Sequence, residues 1–172
     1  FIQGSYANET ATKPLEGDDY DVDIVAVCAG KDDTPGGALD ELVSVLEENG
    51  TYAGKIAPPK TACVRLKYAD EKIGGFHIDI VPARPSATAP LEVPRRKEHW
   101  HDSAPAEYTD WCRDKGPAFA RTVMALKRWR DEEPDMRDSV SSILLQVMAA
   151  DYMPCEGPDS SRLAATLDGL SS

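Results

Sequence analysis

The sequence predicts an α+β protein, a small mixed sheet with flanking helices followed by a helical lobe. Three observations predict it. Short apolar runs with a period of two cluster before residue 82, helical spacing dominates after residue 104, and prolines concentrate between the two. With 172 residues and 41% hydrophobic content, the chain can bury a core without metal or disulfide staples.

Each element follows from local pattern. Phe1 to Gln3 reads as the end of a strand, Gly4-Ser5 as a turn, and a short helical start continues through Ala7. Residues 10–19 form a loop around Pro14 and Gly17. Residues 20–28 (YDVDIVAVC) are the clearest strand, with Val22, Ile24 and Ala26 on one face and Asp21 and Asp23 on the other. Residues 30–37 are a turn-rich break. Over 38–49, Leu39, Leu42, Val43 and Leu46 recur at helical spacing, and Gly50 stops the helix. Residues 61–69 and 75–81 read as an antiparallel hairpin turning at Asp70-Glu71-Lys72. The prolines of 82–94 make that stretch a loop or linker. Helices are expected at 106–115, 118–131 and 137–153, punctuated by Gly116-Pro117 and Pro134. The expected division is a sheet-bearing core over 1–94 and a helical lobe over 95–172. The opening FIQGS has the character of a strand interior, so an upstream part is expected to be missing, and Leu170-Ser171-Ser172 reads as a second cut.

Charge and cysteine usage narrow the classes of function. Thirty acidic residues against 19 basic give a net charge of −11, which repels a phosphate backbone and disfavours strong nucleic-acid binding. Small nucleotides remain compatible, because a metal and a few local cations override the global charge. The four cysteines form no C-x-x-C pair, so reduced thiols in a cytoplasmic protein are expected. No apolar run approaches the ~20 residues of a membrane span, and no signal-peptide pattern is present.

Asp21 and Asp23, two residues apart on a strand, send their carboxylates to the same face, about 7 Å apart by strand rise. Two such anions repel and raise each other's pKa unless a cation sits between them. Hard oxygen ligands select magnesium, with manganese as the alternative. In residues 76–81, Phe76, Ile78 and Ile80 form an apolar face and leave His77 and Asp79 on the other. An acid in so apolar a strand is costly if buried alone, and is accounted for if Asp79 meets Asp21 and Asp23 across the sheet. Three carboxylates can carry two metals, one activating an attacking hydroxyl and one steadying a leaving pyrophosphate. Taken alone, a D-x-D is more often a solvated strand face.

Gly4-Ser5 closes a strand and opens a helix, where free backbone N–H groups and a hydroxyl can grip phosphate oxygens. A bare Gly-Ser is most often a plain turn. Here the order is Gln3-Gly4-Ser5-Tyr6-Ala7, Thr10, Lys13-Pro14, Asp21-Val22-Asp23 and Ile78-Asp79-Ile80-Val81-Pro82-Ala83. That set resembles the polymerase-β-like nucleotidyltransferase superfamily, and within it the bacterial cGAS/DncV-like enzymes (CD-NTases, or SMODS nucleotidyltransferases). The resemblance spans roughly residues 1 to 148.

The resemblance implies a polymerase-β-like core plus a helical lobe, and nucleotide contacts from Gln3, Gly4 and Ser5. It implies that a helical lysine and a serine hold the donor triphosphate tail, and Lys127 and Ser142 are the matching positions. It further implies nucleoside triphosphate substrates, ATP among them, joined into a cyclic di- or trinucleotide second messenger in anti-phage signalling, with regulatory or effector proteins as partners. Asp21 and Asp23 would hold both metals, and Asp79 would hold the one nearest the acceptor and help draw off its proton. A nucleotidyltransferase acting on a tRNA end, an antibiotic or a protein hydroxyl is the alternative. The chain departs from the pattern at Asn8-Glu9, where the family often carries Arg-Gly, and at Ile143, where relatives often place an aromatic. His99 and His101 lack a partner set for zinc and are expected at the surface, as is the basic run Arg95-Arg96-Lys97.

Overall fold

Alternating strand residues and a helical second half translate into two compact units in the computed structural model, which describes residues 1–28, 34–69, 75–137 and 139–170. One unit comprises Phe1–Tyr6 and Glu16–Ala106, the other Ala7–Leu15 and Glu107–Ser172.

The first unit is built on a mixed sheet. Its strands are β1 (Ile2–Gln3), β2 (Tyr20–Val27), β3 (Val64–Tyr68), β4 (Phe76–Pro85), β5 (Leu91–Val93) and β6 (His101–Ser103), in the order β1-β2-β4-β5-β6 with β3 also paired to β4. The short helix α1 (Gly4–Ala7) follows β1, and α2 (Pro35–Glu48) follows β2. β4 is the hub. It runs parallel to β2 in a register that sets Asp21 beside His77 and Asp23 beside Asp79. On its other side it runs antiparallel to β3, with Arg65 opposite Asp79. Alternation then separates the faces. Val64, Leu66, Ile78 and Ile80 pack with Leu39 and Leu46 of α2, leaving Arg65, His77 and Asp79 on the opposite side. Leu39 is fully buried, and truncating a leucine of that kind to alanine costs about 2–5 kcal/mol. α2 begins where Thr34 Oγ1 accepts from Gly37 N at 3.1 Å, with Pro35 in the first turn.

The second unit is helical: α3 (Pro105–Asp114), α4 (Gly116–Glu132), α5 (Pro134–Arg137), α6 (Ser142–Tyr152) and α7 (Asp159–Leu170). Phe119, Val123 and Leu126 of α4 meet Cys112, Leu145 and Ala149 in its core.

Four expectations need correction. Residues 82–94 are not a loop throughout, because β4 continues to Pro85 and Leu91–Val93 forms β5. Proline removes a donor but keeps extended geometry and an acceptor, and at this end of β4 Cys28 N donates to Ala83 O at 2.8 Å. The helix expected over 137–153 starts later, at Ser142 of α6, because Ser141 takes extended backbone geometry and its side chain accepts from Leu144 N, while Arg137 instead closes α5. α7 was not anticipated as a separate helix. The turn expected at Asp70-Glu71-Lys72 and residues 30–33 of the break expected over 30–37 lie outside the described residues, while residues 35–37 of that break are helical and open α2.

Candidate active site

On the sheet face away from α2, the two paired strands bring Asp21, Asp23, His77 and Asp79 together. Asp79 is buried, and three hydrogen bonds hold its carboxylate. Arg65 Nε donates to Oδ1 at 2.6 Å, Arg65 Nη2 to Oδ2 at 2.8 Å, and Lys60 Nζ to Oδ2 at 2.8 Å. Burial works to raise this carboxyl, but the bonds from Arg65 and Lys60 outweigh it and hold Asp79 well below the usual carboxylate range. Arg65 is correspondingly raised, chiefly by its hydrogen bond to Asp79.

Asp23 behaves in the opposite way. Burial, then repulsion from Asp21 and Asp79, push its carboxyl up to about 6, and Lys60 and Arg65 offset only part of this. Its carboxylate lies against the turn between β1 and α1. Gly4 there has φ +73, and a Cβ at Gly4 would sit 2.2 Å from Asp23 Oδ2. Glycine is required twice over, for the left-handed backbone and for the close approach. Gln3 pairs in register with Asp23, and Ser5 lies half-buried in the first turn of α1. The three sequence-predicted carboxylates and the Gly-Ser turn therefore share one site in the first unit.

Asp21, His77 and Asp79 each offer one ligand atom, and these atoms lie within 4.8 Å of one another. Among the described residues this group can share an ion, and it includes His77 where the sequence pointed to Asp23. The chemistry of the set fits a divalent cation: three carboxylates face two cationic side chains, and the excess negative charge falls on Asp21 and Asp23.

Four residues at this site escaped the sequence pattern or were left unassigned by it: Lys60, Arg65, His77 and Cys63. The Cys63 thiol is pushed up to about 11, by burial first and by Asp79 next, and is a packing group rather than a nucleophile. For Arg65 a signal existed, because an antiparallel partner of β4 must place a residue opposite Asp79. Lys60 lies before β3, and no periodicity points to it.

Lys127 and Ser142 lie in the second unit, and each has a partner there. Lys127 is buried on α4, and its Nζ donates to Thr10 O at 2.8 Å. Burial, and then Arg130, lower its pKa, against an opposing effect of Asp131. Ser142 begins α6 and accepts from Arg130 Nη1 at 3.1 Å. Asn8, at a departure from the family pattern, is buried between Thr109 and Gln146. Ile143 is exposed. His99 and His101 stack at 4.3 Å, and His101 lies 3.1 Å from Glu98.

Comparison with known proteins gives this geometry a setting. Residues 1–116 match the Second Messenger Oligonucleotide or Dinucleotide Synthetase domain (SMODS). A "c-di-GMP synthase" of Roseivirga ehrenbergii is 29% identical, over 99% of this chain and 52% of that protein. The "Cyclic dinucleotide synthase CdnG" of Bradyrhizobium diazoefficiens is 35% identical over 74% of this chain and 32% of its own length. The chain thus spans about half the length of the first relative and about a third of the second. Among solved structures, Bradyrhizobium diazoefficiens CdnG in complex with GTP superposes with a TM-score of 0.80 at 21% identity, covering 98% of this chain and 62% of that one. Vibrio cholerae DncV bound to 3'-deoxy ATP gives 0.72 at 24%, covering 99% and 49%. At these identities the superpositions establish the fold, a nucleotidyltransferase core.

Proposed function

The chain belongs to the Second Messenger Oligonucleotide or Dinucleotide Synthetase domain family, and from that premise we propose a magnesium-dependent nucleotidyltransferase that joins nucleoside triphosphates into a cyclic di- or trinucleotide and releases pyrophosphate. Its product would serve as a second messenger in cytoplasmic anti-phage signalling. No helix among the described residues is long and apolar enough to cross a membrane. The observation that carries the reading is the convergence of Asp21, Asp23 and Asp79 on one sheet face, with Asp23 against the glycine of the β1–α1 turn. GTP is the first substrate to test, because the Roseivirga relative is named for a guanine product and the Bradyrhizobium structure holds GTP.

In this reading each residue has a task. Asp21 and Asp79 would hold a divalent cation, and Asp23 would take part from the side of the turn. Such a cation would supply charge neutralisation to the triphosphate and polarise the attacking hydroxyl. Gly4 leaves room for the Asp23 carboxylate against the turn, and the Ser5 hydroxyl and the turn's N–H groups would donate to phosphate oxygens. Arg65 and Lys60 fix the Asp79 carboxylate in one orientation. With its oxygens already bonded to these donors, Asp79 is better placed to orient than to accept a proton. Lys127 and Ser142, which the resemblance offers for the triphosphate tail, are engaged within the second unit, Lys127 by Thr10 O and Ser142 by Arg130. Catalysis is then mostly positioning and charge neutralisation.

The test is mass spectrometry of products from mixed nucleoside triphosphates with magnesium, alongside pyrophosphate release. Wild type should give a cyclic product without an added acceptor, and Asp21→Ala combined with Asp23→Ala should lower the rate by at least about 10³-fold while the fold persists. Undiminished turnover in the double variant refutes the assignment. Turnover only when a tRNA, antibiotic or protein acceptor is added would move the chain to the other branch of nucleotidyltransferases.

A further inference from the structure

His77 occupies a position on the carboxylate face that neither the D-x-D pattern nor the Gly-Ser turn assigns. Its side chain lies on β4 beside Asp21 of β2 and across from Lys67 of β3. The residue is 8% exposed, and neither ring nitrogen completes a hydrogen bond, although both are buried. Nε2 lies 2.9 Å from Asp21 Oδ1, and Nδ1 lies 3.9 Å from Asp19 Oδ2. A buried imidazole that leaves both nitrogens without aligned partners is costly for a purely structural residue. The cost is removed if one nitrogen carries a ligand.

The neighbours identify that ligand as a cation. Donor atoms of Asp21, His77 and Asp79 lie within 4.8 Å of one another. An octahedral ion with bonds of about 2.1 Å needs donors separated by about 3 Å when adjacent and about 4 Å when opposite. Asp79 already shares its charge with Arg65 and Lys60, so Asp21 and His77 are the less committed donors. Imidazole nitrogen is a poor ligand for magnesium and a good one for first-row transition ions.

We propose that His77 is a nitrogen ligand of the cation held by Asp21 and Asp79, and that it strengthens the site's hold on first-row transition cations while adding little to its hold on magnesium. The inference rests on reading this face as a cation site. Asp21 and Asp79 supply the charge, and His77 supplies the discrimination.

The test uses the chain stripped of metal by a chelator, then given Mn²⁺ together with inorganic triphosphate, a phosphate carrier that contains no nitrogen. Pulsed electron paramagnetic resonance should show ¹⁴N modulation from a directly bound imidazole in wild type. His77→Gln and His77→Asn should abolish it. By calorimetry, His77→Gln should weaken Co²⁺ binding at least about tenfold and Mg²⁺ binding by less than about threefold. Mn²⁺ bound with no nitrogen coupling in wild type overturns the proposal, as does equal weakening of Co²⁺ and Mg²⁺. The wild-type spectrum decides the matter even if a variant fails to fold. If Mn²⁺ binds through oxygens alone and Asp21→Asn removes it, the cation face survives and only the role of His77 falls. If no Mn²⁺ binds at all, both fall.

Discussion

Among the described residues, buried polar side chains gather in the helical unit and on the carboxylate face, and the two places treat them in opposite ways. In the helical unit, Gln146 Oε1 accepts from Tyr108 Oη at 3.0 Å, Cys112 Sγ at 3.0 Å and Asn8 Nδ2 at 3.4 Å, while Asn8 Oδ1 accepts from Thr109 Oγ1 at 2.9 Å. These neutral groups satisfy one another and tie Asn8 to α3 and α6. On the carboxylate face, charged groups remain in part uncompensated: Asp23 is pushed up, and both nitrogens of His77 lack an aligned partner. A satisfied network rigidifies a core, whereas an unsatisfied charged one marks a place where something else binds. Among the described residues, the contrast has one exception in the helical unit. The buried Thr10 hydroxyl lacks a partner, beside the carbonyl that receives the Lys127 ammonium.

Substitutions can break this comparison. The largest stability loss is expected where a charge loses its partner. Arg65→Met leaves buried Asp79 with Lys60 as its remaining cation and should cost about 2–3 kcal/mol in chemical denaturation. A loss below about 0.5 kcal/mol would mean that Arg65 does not hold Asp79. Next comes Gln146→Leu, which strips the acceptor from Tyr108, Cys112 and Asn8. A loss of about 1–3 kcal/mol is expected, with no change in metal affinity. If that variant also lost metal binding, the two regions would not be separate in kind.

The smallest effect has the reverse sign. Asp23→Asn relieves repulsion on the metal-free face and should stabilise the apo protein by on the order of 1 kcal/mol at pH 7, after allowance for partial exposure. Because the Asp23 carboxyl is raised from its ordinary value to about 6 in the folded state, the folded protein binds more protons than the unfolded chain between about pH 4 and 6. Its contribution therefore becomes unfavourable as pH rises through that window. The melting-temperature gap between Asp23→Asn and wild type should accordingly widen from pH 4 to pH 7 and close when a divalent cation is added. A gap independent of pH would remove Asp23 from the repulsive set.

Much of this was legible in the chain. Strand β2 and helix α2 announce themselves, because β-branched alternation and i, i+3, i+4, i+7 leucine spacing are strong local signals. So does the glycine turn, whose demand for φ above zero and for space beside Asp23 is met by Gly4. Strand β5 was hidden by neighbouring prolines, and the true start of α6 was hidden because nothing but Ser141, whose side chain caps its first turn, marks it.

What the sequence by itself determined is which side chains share a face. The period of two in a strand commits Asp21 with Asp23, and His77 with Asp79, before any partner is chosen. Only the tertiary structure decided which of these faces meet and what meets them. Register between strands far apart in the chain is set by packing against α2 rather than by local pattern, and a slip of one residue in β4 would have sent Asp79 into the apolar core. That register is what set Arg65 opposite Asp79 and His77 beside Asp21.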